Sequence, residues 1–175
     1  MIGGMDGLKV MLLEFPDGSI PPGSDVACRM FADQGIRWLI AHPERNKAVM
    51  RNPDIIKPFV DMGCMLQLTA ASVVGAFGRS AGQTAHTLLT RGLAHVVASD
   101  AHNLAHRPPR MGEARRYLSQ HFGMGIAYRL TEENPARILA ERVAEPGEEL
   151  PLAQPQQTTP AAAPQGVIPQ RMYAN

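Results

Sequence analysis

The stretch Ile36-Arg37-Trp38-Leu39-Ile40-Ala41-His42-Pro43-Glu44-Arg45 decides the reading of the fold. A strand-length run rich in apolar side chains passes without a break into a dense polar group. The same arrangement recurs on both sides of it. Lys9 to Phe15 reads as a strand closed by Pro16-Asp17-Gly18, and Cys64 to Thr69 and His95 to Ser99 read as two more. Helical patterns separate them. Ser24 or Asp25 caps a helix with Val26, Met30 and Phe31 as its apolar positions, stopping at Gly35. Asn52-Pro53 reads as a cap followed by proline at the first helical position, opening a helix that puts Ile55, Ile56, Phe59 and Val60 on one face and ends at Gly63. Ala81, Ala85, Leu88 and Leu89 mark another, ended by Gly92, and helices over about 110–121 and 134–142 follow. Strands alternating with helices of this length imply an α/β fold of parallel βα units. Periodicity leaves open whether four strands form an open doubly wound sheet or an arc of a barrel.

Composition sets the class. The 175-residue chain suffices for one domain with a sizeable core, and 45% hydrophobic with 19% charged residues is ordinary for a soluble globular protein. Seventeen Lys plus Arg stand against 16 Asp plus Glu, so neither a nucleic acid nor another polyelectrolyte is implied as partner. No apolar run approaches the roughly 20 residues that cross a bilayer, and the start lacks the layout of a signal peptide, so membrane insertion is not expected and the cytoplasm is the default location. Cys28 and Cys64 read as small buried thiols of a reducing compartment. Beyond Ala144 the composition shifts: residues 145–175 hold six prolines and five glutamines with few large apolar side chains. The expected division is a folded domain over 1–144, its ordered part roughly 7–143, and a Pro/Gln/Ala-rich disordered tail over 145–175.

Each strand runs into a group able to bind metal or phosphate: Glu14, His42, Gln67 with Thr69, then Asp100 and His102. In parallel α/β folds these ends converge on one mouth, where ligands bind. Two histidines and two carboxylates there suit a hard or borderline cation such as manganese, zinc or iron with open positions. Any one of them alone reads as a solvated loop residue; four on successive strands read as a set. Arg45 and Arg107 add planar forks that match phosphate oxygens, with Glu44 and Asp17 available as carboxylate partners instead. His106, before Arg107, is a further substrate contact or an ordinary loop histidine. Other mechanisms lack their parts. The positions where a cysteine-nucleophile loop would place its arginine hold Gln34 and Ala70, and neither a phosphate-binding P-loop nor a Gly-x-Ser-x-Gly elbow occurs. Gly75-Ala76-Phe77-Gly78 is too short for a nucleotide fingerprint. Metal-assisted hydrolysis is the class that remains.

The segments Leu13-Glu14-Phe15-Pro16, Ala41 to Asn46, Gln67 to Ser72 with Gly75-Ala76-Phe77-Gly78, and Ala98 to Asn103 with Arg107-Pro108-Pro109 resemble, in order and spacing, a known family. These are the PHP (polymerase and histidinol phosphatase) superfamily protein-tyrosine phosphatases of bacterial capsule and exopolysaccharide loci. The similarity runs from about Leu8 to Leu139. It implies a distorted, TIM-like (β/α)7 barrel with a metal cluster, usually Mn2+, at the strand ends. Carried over by position, it makes Glu14, His42, Asp100 and His102 metal ligands and Arg45 and Arg107 phosphate-binding residues, with Asp100, Arg45 and Arg107 as the catalytic candidates. The implied reaction is hydrolysis of phosphotyrosine on a protein, typically a cognate tyrosine autokinase.

The resemblance also implies a His-x-His strand and further ligands ahead of Glu14, yet no histidine precedes His42 and Asp6 is the one carboxylate upstream of Glu14. The expectation is therefore a partial barrel lacking its N-terminal strands, with edges that favour self-association. Two other readings stand beside it. One is a PHP phosphoesterase for a small substrate, such as a histidinol-phosphate phosphatase. The other is a non-catalytic fragment acting as a binding module.

Overall fold

Alternation along the central strands sets the layering of the protein. In β-structure, neighbouring side chains point to opposite faces, and Trp38 and Ile40 lie on one side of their strand while Leu39 lies on the other. The first pair joins Leu66, Leu68 and Val97 in a large cluster with Cys28, Val49, Phe59, Ala85, Leu88 and Leu118 from the helices. Leu39 instead meets Val10, Met65, Val96 and Ile138 in a smaller cluster on the opposite face.

The computed structural model describes residues 3–5, 8–105 and 107–140. Among these residues the sheet has five strands in the order β1 (Gly3–Met5), β2 (Leu8–Leu13), β3 (Ile36–Ala41), β4 (Met65–Thr69) and β5 (Val96–Ala98). β1 is antiparallel to β2, and every later pair is parallel, with Met11 opposite Trp38, Leu39 opposite Met65 and Gln67 opposite Val96. The mixed α/β fold with a parallel sheet is as expected. Because spatial order follows chain order, each βα unit adds its strand beyond the last. The C-terminal ends of β2 to β5 therefore lie along one rim.

Eight α-helices accompany the sheet among the described residues: α1 (Ser24–Asp33), α2 (Lys47–Arg51), α3 (Lys57–Asp61), α4 (Ala70–Val73), α5 (Arg79–Thr90), α6 (Gly112–Phe122), α7 (Met124–Tyr128) and α8 (Asn134–Leu139), with a π-helical turn over Arg129–Glu133 before the last. None is long and apolar enough to cross a membrane. Asn52 caps as its sequence suggests, accepting the Asp54 N–H at 3.0 Å, but the helix opens as a 3-10 turn over Pro53–Ile56 before α3. At α1 the expectation is corrected: Gly23, in a left-handed conformation, takes the cap position, and the Ser24 hydroxyl donates to the Pro21 carbonyl instead. Both cysteines are buried and free, as read. The tail over 145–175, the last residues of the expected 134–142 helix, Asp6 and His106 lie outside the described residues.

β1 has no counterpart in the pattern reading. Its Gly-Gly-Met sequence has no strand propensity of its own, and it forms by pairing with β2 and lying against α8. A Cβ on Gly3 would meet the Ile138 carbonyl oxygen at 1.9 Å, so only glycine permits that approach.

Candidate metal and phosphate site at the strand ends

Each candidate residue leaves its strand at once. Phe15 is buried and stacks edge-on against Phe59 with centroids 5.7 Å apart, which fixes the chain just past β2. Glu14, before it, is left exposed at the rim, its Oε1 3.2 Å from His42 Nε2. His42 takes a left-handed conformation (φ 33°) directly after β3, an uncommon geometry for a residue with a Cβ. Its N–H donates to the Gln67 carbonyl at 2.8 Å, which ties the kink to β4. Pro43 to Arg45 then form a 3-10 turn.

That turn sends its two charged side chains opposite ways. Glu44 is fully buried, and its Oε1 accepts the Thr69 N–H at 3.0 Å. Burial pushes its carboxyl up to about 7, against the Thr69 N–H and the neighbouring Ser72 hydroxyl. Glu44 Oε2, Gln67 Nε2 and Thr69 Oγ1 are buried without a hydrogen-bond partner among the described residues. Such a concentration of unsatisfied polar atoms is unusual for a folded interior and lies at the ends of β3 and β4. The sequence offered Glu44 as an arginine's partner; the structure makes it an inward anchor. Its only signal in the sequence is its place inside a motif dense with chemistry.

Arg45 points to the rim and donates from Nη1 to Asp100 Oδ2 at 2.8 Å. Arg107 Nη2 donates to the same oxygen. Both guanidiniums also face the Phe77 ring, at 4.9 and 5.8 Å from its centroid. Asp100, like His42, holds a left-handed backbone (φ 52°). Arg107 reaches back because its loop folds on itself. The N–H groups of His102 and Asn103 donate to the Arg107 carbonyl, and those of Ala105 and Arg107 donate to Asn103 Oδ1. The carboxylate partner of both arginines is thus Asp100, and not Glu44 or Asp17.

His102 is more than half exposed, with Nδ1 2.9 Å from the Asp100 carbonyl and 3.9 Å from its Oδ1. Nδ1 donating to the carbonyl is the tautomer that presents Nε2 as the lone-pair nitrogen, the arrangement usual in an imidazole that binds metal. Burial lowers the pKa of His42, the Arg45 charge adds to the effect, and Glu14 and Asp100 oppose it. His42 is thereby favoured in its neutral, ligating form. The donors fit a divalent cation by chemical type and in pairs, Glu14 with His42 and Asp100 with His102. Among the described residues, no three His, Cys, Asp or Glu side chains are grouped to hold one ion.

Asn46 fixes the loop from beneath. Its Oδ1 accepts the N–H groups of Ala48 and Val49, capping α2, and its Nδ2 donates to the carbonyls of Pro16 and Ser19. Losing a cap costs about 1 kcal/mol, and leaving part-buried carbonyls short of a donor adds a comparable amount. Asn46→Ala is therefore expected to destabilise the protein by about 2 kcal/mol, read as a lower urea midpoint at unchanged slope; an unchanged midpoint would show that the loop does not depend on it.

The chain is 35% identical over 131 residues to the tyrosine-protein phosphatase YwqE of Bacillus subtilis, covering 73% of this chain and 50% of that protein. It is 35% identical over 114 residues to the tyrosine-protein phosphatase CpsB of Streptococcus pneumoniae, covering 62% and 47%. The chain thus spans about half the length of the curated relatives it matches. Among solved structures it superimposes on a chain from the crystal structures of YwqE of Bacillus subtilis and CpsB of Streptococcus pneumoniae, described as unique metal-dependent tyrosine phosphatases. The TM-score is 0.72 at 31% identity, over 81% of this chain and 59% of that one. Residues 1–140 match the family described as capsular polysaccharide synthesis, CpsB/CapC, and the chain belongs to that family.

Proposed function

We propose that this chain carries the Glu14, His42, Asp100 and His102 side of a metal-dependent protein-tyrosine phosphatase centre, acting in the cytoplasm on a phosphotyrosine protein such as a tyrosine autokinase of capsule synthesis. The observation that carries the proposal is the convergence of Arg45 and Arg107 on one carboxylate oxygen of Asp100, at the rim where Glu14, His42 and His102 also emerge. Two guanidiniums that meet on a single oxyanion are placed to meet on a phosphate oxygen. Asp100 holds them in register before substrate arrives, so little reorganisation is needed on binding. Neutral His42 and exposed His102 supply nitrogen donors, and Glu14 and Asp100 supply oxygen, a set suited to Mn2+. When bound, such an ion supplies Lewis-acid charge and lowers the pKa of a water. Chain-order parallel strands, α1 to α7 on one face and donors at the C-terminal ends support reading the sheet as an arc of the distorted (β/α)7 barrel, within a domain over 1–144 followed by a tail.

A substrate panel tests the assignment. At saturating Mn2+, the chain is expected to hydrolyse a phosphotyrosine peptide with a kcat/KM above that for histidinol phosphate. Preference for histidinol phosphate would transfer it to the small-substrate phosphoesterases. Absence of turnover on both, from protein shown to be folded, would leave it a binding module.

A further inference from the structure

We propose that Phe77 forms a ring-binding subsite for the aryl group of an aryl phosphate, next to the arginines that take its phosphate. The inference rests on the reading of Arg45 and Arg107 as phosphate-binding residues, and deepens it.

Phe77 belongs to neither apolar cluster of the protein. It keeps 37% of its surface exposed, at the turn between α4 and α5. Gly75 (φ 79°) and Gly78 (φ 91°) bracket it, and a Cβ on Gly78 would meet nothing within 4 Å. Backbone conformation, not lack of space, calls for glycine there, and the turn it shapes sets the ring at the rim. An exposed ring gains little for the fold by being aromatic. Here, however, it stands 4.9 Å from the Arg45 guanidinium and 5.8 Å from that of Arg107.

Such contacts orient the guanidiniums over a π face while leaving their N–H groups free to reach an oxyanion. An aryl phosphate carries its ring directly on the ester oxygen, so a phosphate held by Arg45 and Arg107 brings that ring beside Phe77. Aromatic pairs settle with centroids about 4.5–7 Å apart, edge-on or offset, and the exposed part of Phe77 offers that contact. A serine phosphate puts only a short aliphatic stem in the same place. Preference for phosphotyrosine then comes from the ring and not from the phosphate.

The test is equilibrium binding of O-phosphotyrosine, O-phosphoserine and inorganic phosphate to the 175-residue chain and to Phe77→Leu and Phe77→Tyr, with urea midpoints confirming that the variants fold. Wild type is expected to favour phosphotyrosine over phosphoserine. Phe77→Leu should bind phosphotyrosine about tenfold more weakly with its affinity for inorganic phosphate unchanged, and Phe77→Tyr should keep the preference. Equal losses for all three ligands in Phe77→Leu would overturn the inference and make Phe77 a prop for the arginines. An unchanged preference in that variant would overturn it too. Wild type that binds phosphate with no aryl preference removes the subsite alone; wild type that binds no phosphate removes the arginine reading and the subsite together.

Discussion

An Asp100→Ala protein is expected to lose phosphotyrosine hydrolysis by on the order of 100- to 1,000-fold, the range seen when one preorganised electrostatic group is removed from an active site. Bound divalent metal should fall with it, because Asp100 is both a proposed ligand and the residue that orients its neighbours. Its carboxylate accepts from Arg45 and Arg107, and its carbonyl accepts from His102 Nδ1. Alanine removes the charge that sets both guanidiniums and leaves them to spread into solvent. The left-handed backbone at this position adds strain for any replacement other than glycine or asparagine. The contrast is Arg107→Ala, which should keep its metal while losing phosphate affinity. Undiminished metal content in Asp100→Ala would remove its role as a ligand. Unaltered KM and kcat in Arg107→Ala would remove the arginine from the phosphate site.

The second large effect is on stability and concerns a residue away from the rim. His95 is buried just ahead of β5, where the Leu66 N–H donates to its Nδ1 at 3.1 Å. Asn134 Nδ2 donates to its carbonyl at 2.7 Å. Burial pushes its pKa down from 6.5 to about 4, the Arg37 charge helping and the Leu93 carbonyl opposing. A histidine held neutral in the folded protein contributes stability that is fully present above pH 6.5. That contribution drains away as pH falls from 6.5 towards 4, by about 3 kcal/mol in all. Glu44 works in the opposite sense. Its carboxyl is pushed up to about 7, so the fold loses stability as pH rises from 4.5 to 7. The wild-type profile is expected to be shallow, and the difference between wild type and His95→Gln isolates the histidine. That difference should shrink by about 3 kcal/mol between pH 7 and pH 4 in urea titrations. A difference independent of pH would show that His95 is not held neutral by the fold.

What the sequence disclosed follows from where the information lies. β2 to β5 were legible because each is an apolar run of strand length. The residues that follow them were legible because Glu14, His42, Asp100 and His102 come next in the chain. Asn52-Pro53 spoke for itself, as a cap whose partner is two residues away. Contacts over longer separations did not show. Arg45 finds its carboxylate 55 residues on at Asp100, and the nearer Glu44 turns inward to the end of β4. The sequence offered Glu44 and Asp17 alike as carboxylate partners, and only the fold replaces both with Asp100. β1 escaped because three residues without side-chain pattern become a strand through the neighbours they meet. Phe77 was visible only as part of a short glycine-bearing segment; its two guanidinium neighbours come from different loops.

The proposed metal-dependent phosphatase centre at these strand ends stands or falls on metal-dependent turnover. Its most direct test is hydrolysis of a phosphotyrosine peptide by the 175-residue chain, measured with Mn2+, after chelation, and after Mn2+ is restored. The expected result is turnover that chelator abolishes and Mn2+ restores, and that is absent from Asp100→Ala. Turnover that survives chelation, or that Asp100→Ala retains in full, would contradict it.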